Sequence, residues 1–540
     1  MSQTVALIHT VAEATPDVAT LAAPVPFIAP SIEYSQLSPM LIVFTAATVG
    51  VLIEAFAPRR LRHRAQVALS LISLVAAFIA VVMVAGTENL AAEGAIAIDG
   101  PTLFLQGTIV ALAAVSVLTV AERSLDAEGG AFTPQAAALP GSVLERTVTS
   151  AGITQTEVFP LTLYATGGMM LFPAANDLLM MFVALEVLSL PLYLMCGIAR
   201  RRRLLSQEAA LKYFLLGAFS SAFFLYGSAL LYGYAGTVEL GGIADAVTRS
   251  TQNETLLLIG TAMVAVGLLF KVGAVPFHAW TPDVYQGAPT PITGFMAAAT
   301  KVSAFGALLR VLYVALGGAA QDWTPMIWAV SIITMIFGSV LALTQTDVKR
   351  MLAYSSVAHA GFLLTGVASA AVDEDGVVLG VSSVLFYLVA YGFTTIGAFA
   401  VVTLVRDAAG EATHLSSWAG LGRRSPLVAG IFGLFLLSFA GIPLTSGFTG
   451  KFAVFAAAYQ GGAWPLVVVG VLASAVAAFF YVRVIVLMIF SEPPVDGPTI
   501  AVPSVLTTLA VALGVAVTVV LGVMPTPILD LAEQASRFVR

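Results

Sequence analysis

The chain alternates between long apolar runs and short polar segments. Most runs reach about 20 residues, which is the length a helix needs to cross the hydrocarbon core of a bilayer. They are too long for the roughly ten-residue alternating strands of a membrane barrel. The pattern therefore predicts an all-α polytopic membrane protein with about 14 transmembrane helices. The predicted spans are roughly 38–57, 65–86, 102–121, 157–175, 178–199, 209–235, 255–276, 291–316, 325–346, 350–371, 377–405, 426–460, 464–490 and 500–525.

Arginine and lysine residues between the spans are concentrated on one side of the predicted membrane. Loops after odd-numbered spans hold fifteen of them, whereas the other loops and the two ends hold only Arg249, Arg537 and Arg540. Because cytoplasmic loops are enriched in basic residues, odd spans should end in the cytoplasm and both termini should lie outside. The fifteen are Arg59, Arg60, Arg62, Arg64, Arg123, Arg146, Arg200, Arg201, Arg202, Arg203, Lys349, Arg350, Arg406, Arg423 and Arg424.

Two blocks of five spans, 157–316 and 325–490, have similar lengths. Because five is odd, the second block must enter the membrane from the opposite side, which predicts two inverted five-helix repeats. The remaining segments are an external N-terminal segment (1–37), three N-terminal helices (38–121), a flexible cytoplasmic loop insertion (122–156), and a last helix with a short tail (500–540).

The fourth span of each block is interrupted beside a lysine. Pro276 follows Lys271 in the first block, and Gly441 and Pro443 precede Lys451 in the second. Proline has no amide donor, and a break at membrane depth frees backbone groups that only protein or trapped water can satisfy. Transmembrane helices 7 and 12 should therefore be broken, with their lysines beside the breaks.

Composition supports a membrane protein that holds no redox cofactor of its own. The 540 residues are 59% hydrophobic and 10% charged, whereas soluble domains carry about 25% charged residues. The single cysteine, Cys196, excludes a disulfide framework and a Cys-ligated iron–sulfur cluster. The sequence has no dinucleotide-binding or phosphate-binding glycine pattern and no metal-ligand cluster, so we expect no cofactor and no metal here. Membrane lipids, and not nucleic acid, are the expected surroundings.

Lysines are concentrated inside the predicted spans. Four of the five lysines, namely Lys212, Lys271, Lys301 and Lys451, lie there, while the loops use arginine almost exclusively. Arginine stays protonated, whereas lysine can release its proton when it is desolvated. A row of buried lysines with Glu186 and His359 therefore favours proton exchange.

Each candidate also has a structural interpretation. Glu186 can belong to a structural ion pair, and His359 can be a hydrogen-bonded contact between helices. Lys212 lies near a span end, where its side chain can reach the interface. Three further charged residues nearer to span ends are interpreted as interfacial or inter-subunit pairs: Glu54, Arg310 and Arg483.

Several of these residues lie in motifs that resemble the antiporter-like membrane subunits of respiratory complex I, the NADH:quinone oxidoreductase. The longest is the run from Phe270 to Pro291. The others are Ala184-Leu185-Glu186, Lys212-Tyr213-Phe214, Lys301-Val302-Ser303, Lys349 to Ser356 with His359, and Gly447 to Phe452. They cover about residues 160–490 in the family's order.

The resemblance implies a pair between Glu186 and Lys271, connecting groups at Lys301, His359 and possibly Lys212, and an exit group at Lys451. Of the family's three related subunits, one usually carries glutamate at the position of Lys451, and another continues into a long lateral helix. This chain should correspond to the third. Its partners would be the other complex I membrane subunits in a bacterial plasma membrane, with flavin, iron–sulfur clusters and quinone in partner subunits.

Two other functions remain open at this level. A multisubunit cation/proton antiporter uses the same fold without redox partners, so the subunits that accompany the chain would separate these two functions. A static membrane scaffold would carry the same charges for structural reasons, with protonation states that never change during turnover.

Overall fold

The computed structural model describes residues 32–540 except 126–129, 134, 136–137, 140–141, 151–154, 250–253, 370–377, 408–409, 495–496 and 540. The predicted external segment 1–37 therefore lies mostly outside the described residues, as does part of the predicted loop insertion 122–156. Residues Glu33–Arg540 form one compact unit.

The described residues are mainly helical. The first helices are α1 (Tyr34–Phe56), α2 (Arg59–Val84), α3 (Gly100–Val120), α4 (Val143–Ser150), α5 (Val158–Leu171), α6 (Leu178–Cys196), α7 (Arg203–Ala235), α8 (Leu240–Arg249), α9 (Glu254–Val272) and α10 (Trp280–Gly287). They are followed by α11 (Thr290–Phe295), α12 (Lys301–Arg310), α13 (Ala320–Leu343), α14 (Val348–Val367), α15 (Leu379–Val402), α16 (Leu421–Arg424), α17 (Pro426–Ala440), α18 (Ser446–Gln460), α19 (Trp464–Phe490), α20 (Val505–Val523) and α21 (Thr526–Gln534).

Short strands form two small antiparallel sheets outside the helices. One pairs β1 (Asn89–Ala91) with β2 (Ile96–Ile98), and the other has the order β4 (Gly410–Glu411), β3 (Val405–Asp407), β5 (Thr499–Ile500). The second sheet joins the loop after α15 to the segment before α20, which are distant in sequence.

The predicted fold class is confirmed. Within the described residues, eleven helical stretches are long and apolar enough to cross a membrane. Val158–Ala174 and Pro426–Ala440 are shorter apolar helices. Each predicted span coincides with a helix or with consecutive helical pieces, whereas the division into inverted repeats stays a prediction.

Both predicted helix breaks are present. Helix α9 ends at Val272, and the chain passes through Gly273 at φ 79° before α10 begins. Helix α17 ends at Ala440, and Gly441 at φ 83° separates it from α18. A left-handed glycine is a common end of an α-helix because it has no Cβ to clash. The last carbonyls of α17 can thereby accept hydrogen bonds from a side chain of another helix.

The most deeply buried span is Thr290–Ala315. It consists of α11 and α12, with a π-helical turn at Met296–Thr300 between them and a second at Val311–Ala315. It packs against α3, α9 and α15. A π-turn changes the direction in which the following side chains point. Lys301 is the first residue after the first π-turn and lies inside the bundle, 4% exposed.

Arg310 forms a fully buried ion pair within the chain, so its interpretation as an interfacial residue is wrong. Its Nη2 donates to Asp99 Oδ1 at 2.7 Å and to Thr102 Oγ1 at 2.7 Å, and its Nε donates to the Pro173 carbonyl at 2.6 Å. Neither side chain of the ion pair is exposed. A buried charge needs such partners, and here they join α12 to the start of α3.

Glu122 holds the beginning of α20. Its Oε2 accepts hydrogen bonds from the Ser504 amide at 2.9 Å and from the Thr507 hydroxyl at 2.7 Å. A carboxylate is favourable at a helix N-terminus because the free amides and the helix dipole attract negative charge. Burial raises the pKa of Glu122, but hydrogen bonds from Ser504, Ser124 and Thr507 outweigh burial and lower it to about 2.

We expect Glu122→Gln to destabilise the protein by about 1–3 kcal/mol, since it removes the charge from a buried carboxylate that accepts hydrogen bonds from Ser504, Ser124 and Thr507. The stabilisation by Glu122 should be complete above its ordinary pKa of 4.5 and disappear as the pH falls through about 2. Thermal unfolding of the purified protein as a function of pH measures this. Glu157→Gln, at an exposed glutamate, is the control. A Glu122→Gln variant as stable as the control near neutral pH would contradict the assignment.

Candidate functional site

Lys271 lies in the last turn of α9 and is only 3% exposed. Its Nζ is 5.3 Å from the ring centre of Tyr193 on α6 and 5.1 Å from that of Tyr213 on α7. Nζ has no hydrogen-bond partner among the described protein atoms. Aromatic faces attract a cation without accepting a hydrogen bond along a fixed direction. The Lys271 side chain is thus held by π-systems, and its ammonium donors have no acceptor among the described protein atoms.

Glu186 lies on α6, and the structure shows no direct ion pair between it and Lys271. Among the described residues, its buried Oε1 has no hydrogen-bond partner, and neither do the hydroxyls of Tyr193 and Tyr213. Helix α7 packs against both α6 and α9. The close approach of Tyr193 to α7 depends on Gly217, because a Cβ there would overlap the Tyr193 hydroxyl. Glu186 and Tyr193 thus lie on α6, and Tyr193 and Tyr213 join this helix to Lys271 on α9.

Lys271 and Lys301 line a common cavity of about 10 Å³, which we call the inner cavity. Tyr285 and Ser356 also line it. A cavity of this size has room for about one water molecule. Lys301 Nζ donates to the Ser356 carbonyl at 2.5 Å and lies 5.2 Å from the ring centre of Tyr391. The two lysines therefore share a cavity that has room for about one water molecule.

His359 is buried on α14, one helical turn beyond Ser356. Its Nδ1 is 2.7 Å from the Tyr387 hydroxyl, and its Nε2 is 3.4 Å from the Tyr481 hydroxyl. Both ring nitrogens thus face hydroxyl groups, which can donate or accept a hydrogen bond. The imidazole can take up a proton on one side and release one on the other.

Lys451 lies on α18 beside the second break. Its Nζ donates to the carbonyls of Phe439 and Ala440, at 2.8 and 3.0 Å, and to the Ser474 hydroxyl at 2.8 Å. Three acceptors match the three donors of an ammonium group. Phe439 also contacts His359, with ring centres 5.5 Å apart. The break thus supplies the carbonyls that solvate Lys451.

Lys212 is partly exposed, whereas Lys271, Lys301 and Lys451 are buried. Its Nζ pairs with Glu208 at 2.6 Å and with Asp283 at 2.8 Å, and Arg350 reaches the other oxygen of Asp283 at 2.6 Å. Burial raises the pKa of Asp283, while hydrogen bonds from Lys212 and Arg350 outweigh burial and hold it below its ordinary value. Asp283, which sequence reasoning left without a role, thereby fastens α10 to α7 and α14.

The structure brings four of the predicted residues into one row, Lys271, Lys301, His359 and Lys451, which we call the relay residues. Sequence reasoning missed the aromatic groups around them: Tyr193, Tyr213, Tyr387, Tyr391 and Tyr481. It also missed the burial of Lys349. Within the described residues, no group of three or more His, Cys, Asp and Glu side chains is placed to hold a metal ion.

Comparison with known proteins identifies the family. The model of the family described as NADH:quinone oxidoreductase/Mrp antiporter, transmembrane, matches residues 175–477. A relative named NADH-quinone oxidoreductase subunit N, from Rhodococcus opacus, is 67% identical over 531 residues, which cover 95% of this chain and 97% of the relative. The chain belongs to the family of NADH-quinone oxidoreductase subunit N. A subunit N from Mycobacterium tuberculosis is 60% identical, with 95% of this chain and 99% of that protein covered.

Solved structures agree with this membership of the subunit N family. A chain of respiratory complex I from Thermus thermophilus with bound aureothin is 32% identical and superposes with a TM-score of 0.73, over 92% of this chain and 99% of that chain. A chain of the Mrp complex from Dietzia sp. DQ12-45-1b superposes with a TM-score of 0.77, over 94% of this chain and 97% of that chain, at 21% identity. The second similarity shows the fold alone. The resemblance drawn from the motifs is thereby confirmed.

Gly441→Ala should impair the Lys451 site of this subunit N family member. A Cβ at Gly441 would lie 3.0 Å from Lys451 Cδ and 3.3 Å from Nζ, so the lysine must move away from its carbonyl acceptors. The left-handed backbone adds roughly 1–2 kcal/mol of strain. Gly462→Ala is the matched control, because Gly462 also has positive φ and a Cβ there would meet nothing.

NADH-driven proton uptake by inverted membrane vesicles measures the difference. We expect slower uptake in Gly441→Ala than in Gly462→Ala at equal complex content. Equal uptake rates in the two variants would show that the position of Lys451 beside the break is unimportant.

Proposed function

We propose that the chain moves protons across the bacterial plasma membrane, as a subunit of an NADH:quinone oxidoreductase whose redox chemistry occurs in other chains. The named relatives are NADH-quinone oxidoreductase subunits, and one matching solved chain belongs to respiratory complex I. Flavin, iron–sulfur clusters and quinone would be held by partner subunits. The other antiporter-like membrane subunits would be the neighbours of this chain, which itself would hold no cofactor. The proposed orientation has both termini outside.

The observation that carries the proposal is the inner cavity shared by Lys271 and Lys301. It connects groups from opposite predicted repeats, because Ser356 in its wall lies in the second block and both lysines lie in the first. Buried lysines in a membrane span are costly, so a row of them favours a functional role. A water molecule in the inner cavity would lie between the two lysines and carry the proton from one to the other.

The proposed route begins at Lys271. A proton held there would pass through the inner cavity to Lys301, then along α14 to His359, and finally to Lys451. Loss of negative charge near Glu186 would weaken the attraction that keeps Lys271 protonated, because an opposite charge favours the ionised lysine. The aromatic rings around Lys271 accept no proton, so its proton can leave only toward water or a relay residue.

The last step would release a proton from Lys451 to the outside. His359 and Lys451 both contact Phe362 and Phe439, so a chain of water must form beside these rings for transfer. Ser474, the third acceptor of Lys451, is half-buried and offers the exit side. The two helix breaks, beside Lys271 and Lys451, would then be the two ends of one lateral proton path through the predicted inverted repeats.

Lys271→Ala tests the proposal. We expect a lower ratio of protons pumped to electrons transferred, or coupled electron transfer slowed about tenfold or more if each relay residue is obligatory. Proton uptake and NADH oxidation are measured together in inverted vesicles. Arg249→Ala is the control, since Arg249 forms only an exposed ion pair with Asp245 among the described residues. The proposal would be contradicted if Lys271→Ala vesicles kept both the wild-type ratio of protons pumped to electrons transferred and the wild-type rate of electron transfer.

A further inference from the structure

Lys349 is a buried cation that does not belong to the relay residues. The sequence placed it in a cytoplasmic loop, but the structure places it as the second residue of α14, only 3% exposed. Its Nζ donates to the carbonyl of Ala288, which directly follows α10, at 2.7 Å. The assignment of Lys349 to a loop between two spans is therefore wrong. A buried lysine needs either a fixed counter-charge or a function.

A second cavity, of about 60 Å³, begins at Lys349 and is called here the outer cavity. The exposed residues Arg201 and Arg202 line it, together with Thr290 and Glu411. At roughly 10–15 Å³ for each water molecule, it holds several. Because two of its lining residues are exposed and Lys349 is buried, the outer cavity leads from the surface to the lysine.

The inner and outer cavities are lined by neighbouring residues of α10. Tyr285 lines the inner cavity, and the next residue, Gln286, lines the outer cavity. Tyr285 and Ser356 line the inner cavity together, and the Ser356 carbonyl accepts a hydrogen bond from Lys301. Lys349 and Ser356 are seven residues apart on α14, so they share a face and lie about 10 Å apart along the axis. Only a short stretch of α10 and α14 separates the two cavities.

We propose that Lys349 is a further proton-relay residue, which takes protons from the outer cavity and delivers them past Tyr285 and Ser356 to the inner cavity, where Lys271 and Lys301 receive them. The inference rests on the proposed function and adds the uptake path on the predicted cytoplasmic side. Each transfer breaks one N–H or O–H bond and forms one on the next acceptor. The proton that leaves Lys349 is replaced by one from cavity water, so no oxidant or reductant is involved.

A structural role for Lys349 makes different predictions. The charged groups that face it are Glu411, Asp347 and Arg202. Glu411 is itself bound by the Thr290 hydroxyl, and Asp347 by Thr413 at 2.6 Å. If Lys349 only fastened α10 through Ala288, any fixed cation with a donor would serve. Arginine supplies the charge and the donor but cannot release a proton at working pH.

The experiment compares Lys349→Arg, Lys349→Gln and Tyr285→Phe in the intact complex in inverted vesicles. Proton uptake is normalised to NADH–ferricyanide activity, which reports the amount of assembled complex without the membrane path. We expect Lys349→Arg and Lys349→Gln to slow uptake alike, by about tenfold or more, because a positioned proton-transfer group contributes at least that factor. Tyr285→Phe keeps the ring and should also slow uptake. Arg423→Gln, at an exposed arginine on the same predicted side, should behave as the wild type.

Wild-type uptake in Lys349→Arg would overturn the inference in favour of a structural cation, and so would wild-type uptake in Tyr285→Phe. If Lys349→Gln fails to assemble, the other two variants decide, since both preserve shape or charge. Unchanged proton pumping in Lys271→Ala would contradict the proposed function itself. Impaired pumping in Lys271→Ala together with normal uptake in Lys349→Arg would contradict only the uptake path through Lys349.

Discussion

Desolvation of positive charge is the constraint on which this structure depends. A charged side chain in the middle of a membrane costs at least a few kcal/mol unless protein or water solvates it. The chain solves this differently at each buried lysine. Lys271 has two aromatic faces, Lys301 has one carbonyl and one ring, and Lys451 has two carbonyls and a hydroxyl. The number of direct acceptors therefore rises along the row, from none at Lys271 to three at Lys451.

That gradient gives the proposed direction a physical basis. A lysine without a direct acceptor depends most on water and on a nearby negative charge, so its proton is the easiest to displace by a change near Glu186. A lysine with three acceptors holds an ammonium group in place until one of them is replaced. The helix breaks make this arrangement possible, because an unbroken helix would use the carbonyls of Phe439 and Ala440 for its own hydrogen bonds. The irregular backbone at the break therefore supplies the acceptors that the proposed exit group needs.

The sequence predicted the elements whose signals are local. Span length gave the helices, Pro276 and Gly441 gave the breaks, and the rarity of charge in apolar runs gave the lysines and Glu186. The missing information was tertiary. Asp99 and Arg310 are 211 residues apart in the chain, so nothing local indicates their pairing. Lys349 was assigned to a loop for a related reason. Lysine followed by arginine at the start of a span resembles the end of a loop in the sequence, and only the structure shows that α10 covers Lys349.

The central claim is that buried lysines change protonation during turnover. Infrared difference spectroscopy of the complex, with isotope-labelled lysine and NADH added to start electron transfer, measures this directly. The account predicts lysine ammonium bands that change on turnover in the wild type and are reduced in a Lys301→Met variant with equal NADH–ferricyanide activity. Lysine bands that stay constant through turnover, or change identically in the variant, would contradict it and leave the charges with a structural role alone.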